Sequence, residues 1–182
     1  MPTRAPVALR AADVVSATGG QLVAGRADAE VGRVSIDSRR VTRGDLFVAI
    51  RGERLDGHAF VAEALGRGAT GVMVSDASGS GAGSGADGAS GGSFVISVPD
   101  TTHALQRLGQ FVRRATGTRV VAITGSVGKT TTKELTAAVL AGQHDVFRTV
   151  GNLNNHIGLP LSLIELRRRP DVAVLELGMN HA

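Results

Sequence analysis

The stretch VVAITGSVGKTTTKELTAAVLAG, from Val120 to Gly142, decides the fold of the second half of the chain. The apolar run at its start predicts a buried strand over Val120–Thr124, and the residues from Thr130 to Leu140 predict a helix. Two glycines and a lysine lie between them. Because a strand, a glycine loop and a helix in this order form the setting of a phosphate-binding loop, the stretch predicts an α/β domain.

The spacing of the two glycines departs from the common phosphate-loop pattern G-x-x-x-x-G-K-[ST]. That pattern requires a glycine where this chain has Ile123, and the glycine present is Gly125, two residues later. The chemistry remains suitable, since Gly125 and Gly128 allow backbone N–H groups to turn toward anionic oxygens at a helix N-terminus. Lys129 would reach the β- and γ-phosphates, and the Thr130 hydroxyl would ligate Mg²⁺.

Lysine usage supports a chemical role for the loop. The chain has 20 lysine and arginine residues, of which only Lys129 and Lys133 are lysine. Arginine cannot replace a compact ammonium that must fit inside a loop of backbone amides. The lysine at position 129, in a chain that otherwise uses arginine, therefore favours a phosphate-binding requirement over chance.

The residues after this stretch continue an alternation of strands and helices. We predict a strand near Val146–Thr149, a helix over Pro160–Leu166 and a strand over Val172–Leu177, which together make a parallel sheet. The chain stops shortly after this strand, so we expect a fragment of a longer protein, with a truncated phosphate-loop ATPase domain over residues 101–182. The helix beginning at Asp100 or Thr101 would bridge to the first domain.

Residues 1–100 predict a small, mixed α/β domain. Short apolar segments such as DLFVAI, TGVMVS and SFVISV are typical of strands, and HAFVAEALGRGA is typical of a helix. The segment Asp76–Ser93 consists of glycine, serine, alanine and aspartate, and it cannot bury enough apolar surface to offset the entropy of ordering. We therefore expect a disordered loop there.

Composition excludes several classes of protein. The chain has no cysteine, which removes disulfides, thiolate metal sites and cysteine nucleophiles. No signal peptide and no apolar run of about 18 residues is present, so we expect a soluble, cytoplasmic protein. The net charge is +4 and the pI about 10.9, but the arginines are scattered and aromatic residues are scarce. We therefore expect no binding to nucleic acid.

Four segments resemble the Mur ligases, the ATP-dependent amide-forming enzymes of peptidoglycan synthesis. TGSVGKTTTKE resembles their ATP loop, TGxxGKT[ST], which has the shorter glycine spacing. GNLNNHIGLPLSLIEL, from Gly151, and AVLELGMNHA, from Ala173, resemble the branch that adds D-alanyl-D-alanine. The segment Ser35–Phe60 is similar to the UDP-binding N-terminal domain of the same branch.

The resemblance implies a ligase that uses ATP and Mg²⁺ to join UDP-N-acetylmuramoyl-tripeptide to D-alanyl-D-alanine through an acyl phosphate. It implies a monomer at full length, and a fragment that cannot turn over alone. The implied catalytic residues are Lys129, Asn154 and Asn155, and the implied metal ligands are Thr130 and Glu176. The residues implied to hold ATP are Thr124, Gly125, Ser126, Val127, Gly128, Lys129, Thr130 and Thr131. Those implied to hold substrate are Ser38, Arg39, Glu53, Arg54, Leu55, Asn152, Asn180 and His181.

Three alternatives stay open at this point. The chain could belong to the Mur ligase that adds the third amino acid, although that branch would be expected to show different residues at Asn154–Asn155 and Glu176–Gly178. It could be an unrelated phosphate-loop kinase or GTPase, which would leave the UDP-like segment unexplained. It could also be a nucleotide-binding module without catalysis.

Overall fold

The computed structural model describes residues 5–75, 92–151 and 153–178. These residues form two compact units. One unit is Ala8–Leu108, and the other contains Val7 and the residues from Gly109 onward. The predicted division at residue 100 thus falls eight residues before the change of unit, which lies inside a helix.

The unit formed by Ala8–Leu108 has a five-stranded sheet. Its strand order is β1-β5-β4-β3-β2, and every neighbouring pair is parallel except β1 with β5. Its helices are α1 (Ala11–Thr18), α2 (Val61–Gly66) and the first half of α3 (Thr101–Thr116). Its strands are β1 (Gln21–Ala24), β2 (Val34–Ser35), β3 (Leu46–Val48), β4 (Gly71–Val74) and β5 (Phe94–Ser97).

The core of this unit follows from the continuous apolar runs of β3, β4 and β5, whose residues are almost all buried. Phe47, Val72, Val74 and Val95 pack with Val61 and other residues of α2 in one buried cluster. The predicted helix over HAFVAEALGRGA is divided, because Gly57–Phe60 forms a 3₁₀ turn before α2 begins at Val61. Asp100 caps α3 by accepting a hydrogen bond from the amide of His103 at 2.8 Å.

The other unit has a three-stranded parallel sheet in the order β6-β8-β7. Its strands are β6 (Arg119–Ile123), β7 (Val146–Arg148) and β8 (Val172–Glu176), and its helices are α4 (Lys129–Ala141), α5 (Gly158–Ile164) and the second half of α3. A 3₁₀ turn, Glu165–Arg168, follows α5. The predicted α/β class, with a small mixed α/β first domain and a parallel sheet in the second, is confirmed.

Strand β8 is the centre of this second sheet. Val172 and Val174 pack on the side of α4, while Ala173 and Leu175 pack on the side of α5. All five residues of β8 are buried. The prediction that β6 is a buried strand is wrong, because β6 pairs on one side only among the described residues, and Val121 is 36% exposed.

Of the segment Asp76–Ser93, which was predicted to be disordered, residues 76–91 lie outside the described residues. Ser93, just before β5, donates a hydrogen bond from its hydroxyl to the carbonyl of Ala69 at 3.0 Å. Within the described ranges, no helix has the length and apolar character needed to cross a membrane.

Candidate nucleotide-binding site

The loop between β6 and α4 has the backbone that its two glycines predict. Gly125 has a φ of 142° and Gly128 a φ of 78°, a region that residues with a Cβ rarely adopt. Gly128 is the residue from which α4 begins, and its carbonyl accepts the amide of Thr132 at 2.9 Å. The loop therefore ends with the first amides of a 13-residue helix, where the positive end of the helix dipole favours an anion.

Lys129 is the first residue of α4, and its side chain turns back over the loop. Its Nζ donates to the carbonyl oxygen of Gly125 at 2.7 Å. This bond keeps the ammonium beside the loop. The remaining loop residues Thr124, Ser126 and Val127 are exposed, as are Thr130 and Thr131 in the first turn of α4. The eight residues predicted to hold ATP thus form the loop after β6 and the first turn of α4.

Glu176 reaches the loop through the pairing of β8 with β6. Its register partner on β6 is Ile123, the last residue before the loop, and the amide of Leu177 donates to the Ile123 carbonyl at 2.8 Å. The Thr130 hydroxyl donates to Glu176 Oε2 at 3.0 Å. The two predicted metal ligands, 46 residues apart in the chain, are therefore in direct contact at the carboxyl ends of parallel strands.

Glu176 is only 4% exposed, and its surroundings favour the ionised carboxylate. Burial raises its pKa, but hydrogen bonds from Asn154 and Thr130 and the charges of Lys133 and Lys129 outweigh burial. The net result is a pKa below the ordinary value for glutamate. A buried carboxylate that stays ionised is suited to binding a cation.

The Thr130 and Glu176 oxygens fit a magnesium ion. Mg²⁺ binds oxygen at 2.0–2.1 Å in octahedral geometry, which places neighbouring ligands about 2.9 Å apart. The Thr130 Oγ1 to Glu176 Oε2 distance is 3.0 Å. The described residues contain no cluster of three or more histidine, cysteine, aspartate or glutamate side chains suited to a metal. One carboxylate with phosphate and water oxygens is, however, the usual protein environment of Mg²⁺.

The two predicted catalytic asparagines have different contacts. Asn154 Nδ2 donates to Glu176 Oε1 at 2.9 Å, so this residue belongs to the site. Asn155 Oδ1 accepts the amides of Ile157 at 3.1 Å and Gly158 at 2.7 Å. Those two bonds cap the start of α5, which explains an asparagine at this position without any substrate. A catalytic role for either residue stays a prediction.

Lys133 contacts the site, although it is not among the residues predicted to form it. It is 1% exposed, and its Nζ lies 3.8 Å from Glu176 Oε2. Its signal was present, because it is the second of the two lysines in an arginine-rich chain. Its contacts depend on where β7 and β8 lie, which the local sequence does not encode.

The predicted UDP-binding residues Ser38 and Arg39 lie on a 3₁₀ turn, Ser38–Arg40, capped by Asp37. The Ser38 hydroxyl donates to Glu63 Oε2 of α2 at 2.8 Å, and Arg39 pairs with Asp37 at 2.9 Å. Hydrogen bonds from Ser38 and Arg67 hold the pKa of Glu63 below its ordinary value. Ser38 is buried, whereas the Arg39 side chain is 79% exposed, so Arg39 is the more accessible of the two to an anionic ligand.

The second predicted UDP-binding segment, Glu53–Leu55, lies on an exposed turn. The turn is closed by the Gly52 amide, which donates to the Leu55 carbonyl at 2.9 Å, and by a bridge between Arg51 and Asp56. Leu55 is 68% exposed. The other predicted substrate residues, Asn152, Asn180 and His181, lie outside the described residues, and their roles stay predictions.

Comparison with known protein families gives two adjacent matches. Residues 30–113 match the family described as "Mur ligase family, catalytic domain", and residues 123–182 match the "Mur ligase middle domain". The second match begins at the last residue of β6 and includes the whole loop, α4 and Glu176.

Individual relatives agree with these matches. The chain is 42% identical over 147 residues to a UDP-N-acetylmuramoyl-tripeptide--D-alanyl-D-alanine ligase of Bacillus subtilis, covering 81% of this chain and 30% of that protein. It is 41% identical over 160 residues to the ligase of the same name from Escherichia coli, covering 85% and 32%. A crystal structure of MurF from Acinetobacter baumannii superimposes with a TM-score of 0.83 at 35% identity, covering 98% and 37%.

The chain therefore spans about a third of the length of these relatives. Within this part, three features point to the same family: the glycine spacing of the loop, the parallel sheet that carries it, and the two family matches. From these features together we conclude that the chain belongs to the Mur ligase family.

Proposed function

We propose that this chain supplies the UDP-binding domain and the first part of the ATP site of a ligase. The ligase would join D-alanyl-D-alanine to UDP-N-acetylmuramoyl-tripeptide, the reaction named for its relatives. The observation that carries the proposal is the contact of Thr130 with Glu176 beside Lys129, in a loop with the Mur ligase glycine spacing. We further propose that the complete protein is a cytoplasmic monomer.

The proposed reaction has two steps that balance in atoms and charge. The terminal carboxylate of the tripeptide attacks the γ-phosphorus of ATP, which forms an acyl phosphate and releases ADP. The amine of D-alanyl-D-alanine then attacks the acyl carbon, loses a proton and displaces inorganic phosphate. Phosphoryl transfer of this kind depends on positioning and on neutralisation of charge more than on covalent chemistry by the protein.

The loop residues would provide that positioning. The backbone amides at the start of α4 would receive phosphate oxygens, and Lys129 would exchange its bond to the Gly125 carbonyl for one to the β- and γ-phosphates. Thr130 and Glu176 would hold Mg²⁺ through oxygens that are already 3.0 Å apart. When bound, the ion would supply positive charge to the phosphates. Asn154 would keep Glu176 Oε1 oriented.

The first domain would bind the uridine diphosphate end of the peptide substrate. The exposed Arg39 guanidinium would leave Asp37 to meet the diphosphate, and Ser38 together with the Glu53–Leu55 turn would contact the nucleoside. Binding far from the reacting carboxylate would help to place that carboxylate, because remote binding energy can be used for orientation.

The choice of amino substrate separates the two Mur ligase alternatives. The complete gene product is assayed for phosphate release with ATP, the matching UDP-linked peptide and either D-alanyl-D-alanine or a diamino acid. We expect release only with D-alanyl-D-alanine and UDP-N-acetylmuramoyl-tripeptide. Release that requires the diamino acid and the UDP-linked dipeptide would assign the chain to the neighbouring branch instead.

Binding by the 182-residue chain tests the remaining alternatives. Calorimetric titration with ATP and Mg²⁺, and separately with UDP, is expected to show one site for each. A chain that binds ATP but not UDP would contradict the proposed UDP-binding role of the first domain. A complete gene product that binds both ligands but releases no phosphate with either pair of substrates would support a module without catalysis.

A further inference from the structure

Lys133 is a buried ammonium directly behind the proposed ATP site. It lies one helical turn after Lys129 on α4, and its side chain is 2% exposed. Its Nζ donates to the Thr149 carbonyl at 3.0 Å, and it lies 3.3 Å from Glu134 Oε1 and 3.8 Å from Glu176 Oε2. An ammonium has three donors, and these three oxygens surround it.

The Thr149 contact connects Lys133 to Glu176 by a second route. Thr149 is 1% exposed and follows β7, where its amide donates to the Val174 carbonyl at 3.1 Å. Its Oγ1 accepts the amide of Glu176 at 3.3 Å. Lys133 therefore holds Thr149, just after β7, through the Thr149 carbonyl. Thr149 in turn holds the backbone amide of Glu176 through its hydroxyl. The ammonium also attracts the Glu176 carboxylate directly.

An apolar side chain would fill this volume at lower cost, since a buried charge must be compensated by good partners. The chain also places arginine at 18 of its 20 basic positions. Lys133 is buried, and it is a lysine in a chain that otherwise uses arginine. Both facts indicate that the site needs a compact positive charge rather than packing volume alone.

We propose that Lys133 is a positioning residue that holds the Glu176 carboxylate and its backbone where Mg²⁺ is bound with ATP. This inference rests on the proposed function. The contacts of Lys133 are with Thr149, Glu134 and Glu176, so its role toward the ion would be indirect. Lys133 acts through Thr149 and through its charge, as the partners of metal-ligating carboxylates commonly do.

The experiment measures how much Mg²⁺ strengthens ATP binding to the complete gene product, because this chain supplies only the first part of the proposed ATP site. ATP is titrated with and without Mg²⁺ for the unsubstituted product, for Lys133→Met and for Arg114→Met. The last variant removes the same charge from an exposed position on α3. We expect Lys133→Met to reduce the strengthening by Mg²⁺ by about 10- to 100-fold, with little change in binding without Mg²⁺. Arg114→Met should leave both values unchanged.

A double variant covers the case in which Lys133→Met does not fold. Removing Lys133 alone leaves Glu176 buried without its cation, whereas Lys133→Met combined with Glu176→Gln removes both charges. We expect the double variant to resist denaturant better than Lys133→Met alone. It should also respond to Mg²⁺ no less than Glu176→Gln alone, because Lys133 acts through Glu176.

Three results would overturn the inference. One is an unchanged response to Mg²⁺ in a folded Lys133→Met chain. Another is equal loss of ATP binding with and without Mg²⁺, which indicates a structural role only. The third is a double variant no more stable than Lys133→Met. Failure of the unsubstituted complete gene product to bind ATP would instead count against the proposed function, so the two failures are distinguishable.

Discussion

At the scale of single residues, the site depends on a few side chains whose partners are far apart in the sequence. Lys129 contacts its own loop through Gly125, whereas Thr130 contacts Glu176 at a separation of 46 residues. Lys129 and Thr130 were predicted from the loop pattern, whereas the predicted role of Glu176 came from the resemblance to the Mur ligases. The contact between Thr130 and Glu176 required the tertiary structure, because nothing local in either segment specifies which strand lies beside the loop.

Replacement of Lys129 by alanine tests the centre of the proposed site. We expect ATP to bind the chain about 10- to 100-fold more weakly, since a hydrogen bond to a charged group contributes about 1.5–3 kcal/mol. Isothermal titration calorimetry measures the affinity, and circular dichroism checks that the variant is folded. Arg114→Ala, which removes a charge from an exposed site on α3, is the control. Equal affinity of Lys129→Ala and the unsubstituted chain would contradict the assignment of the loop.

At the scale of elements, helix starts and strand ends position the chemistry. Helix α4 begins after Gly128, whose backbone is in the left-handed conformation. Helix α5 begins at Gly158, whose amide donates to the side-chain oxygen of Asn155. The start of α4 was predicted within one residue, whereas α5 begins at Gly158, two residues before its predicted start at Pro160, because the contacts of Asn155 were not foreseen. The position of β8 between β6 and β7 could not be inferred from sequence, since all three strands are short apolar segments of similar appearance.

Asn155 provides a test of whether capping explains its presence. Asn155→Ala should lower the free energy of unfolding by about 1 kcal/mol, because two amides at the start of α5 lose their acceptor. Asn155→Asp keeps an acceptor oxygen near the positive end of the helix and should retain that stability. Denaturant unfolding measures both.

Activity of the same Asn155 variants addresses the predicted catalytic role. If Asn155→Asp is as stable as the unsubstituted chain and the corresponding complete gene product is inactive, the side-chain amide itself is needed for turnover. Full activity of the aspartate variant would leave capping as the role of Asn155. Equal stability of the alanine variant and the unsubstituted chain would contradict the capping explanation.

At the scale of the whole molecule, carboxylates with lowered pKa values link stability to pH. Amide and side-chain hydrogen bonds from His58 lower the pKa of Asp56 from 3.8 to about 2. Hydrogen bonds from Arg39 likewise lower the pKa of Asp37. A carboxyl with a lowered pKa in the folded state binds fewer protons there than in the unfolded state. Its contribution is therefore complete above the unfolded value and is lost as the pH falls.

We therefore expect the chain to lose stability on acidification from about pH 4 to about pH 2. The denaturant midpoint, measured across this range and at neutral pH, should fall only in the acidic part. Asp56→Asn should show a shallower fall, because it removes a carboxyl whose pKa is lowered from 3.8 to about 2 in the folded chain. A midpoint that is constant through this range, or a fall of equal size in the variant, would contradict the expectation.

The sequence by itself determined the local parts of this protein. Glycine spacing, strand-to-helix order and residue type were enough to predict the loop, its α/β class and its ligand chemistry, because backbone preference and side-chain chemistry are properties of neighbouring residues. Only the tertiary structure decided that β6 is half-exposed while β8 is buried, and that Lys133 and Asn154 converge on Glu176. The physical reason is strand pairing. Parallel strands are joined by crossovers, so which strand becomes central depends on long-range packing of both faces of the sheet, which local periodicity does not record.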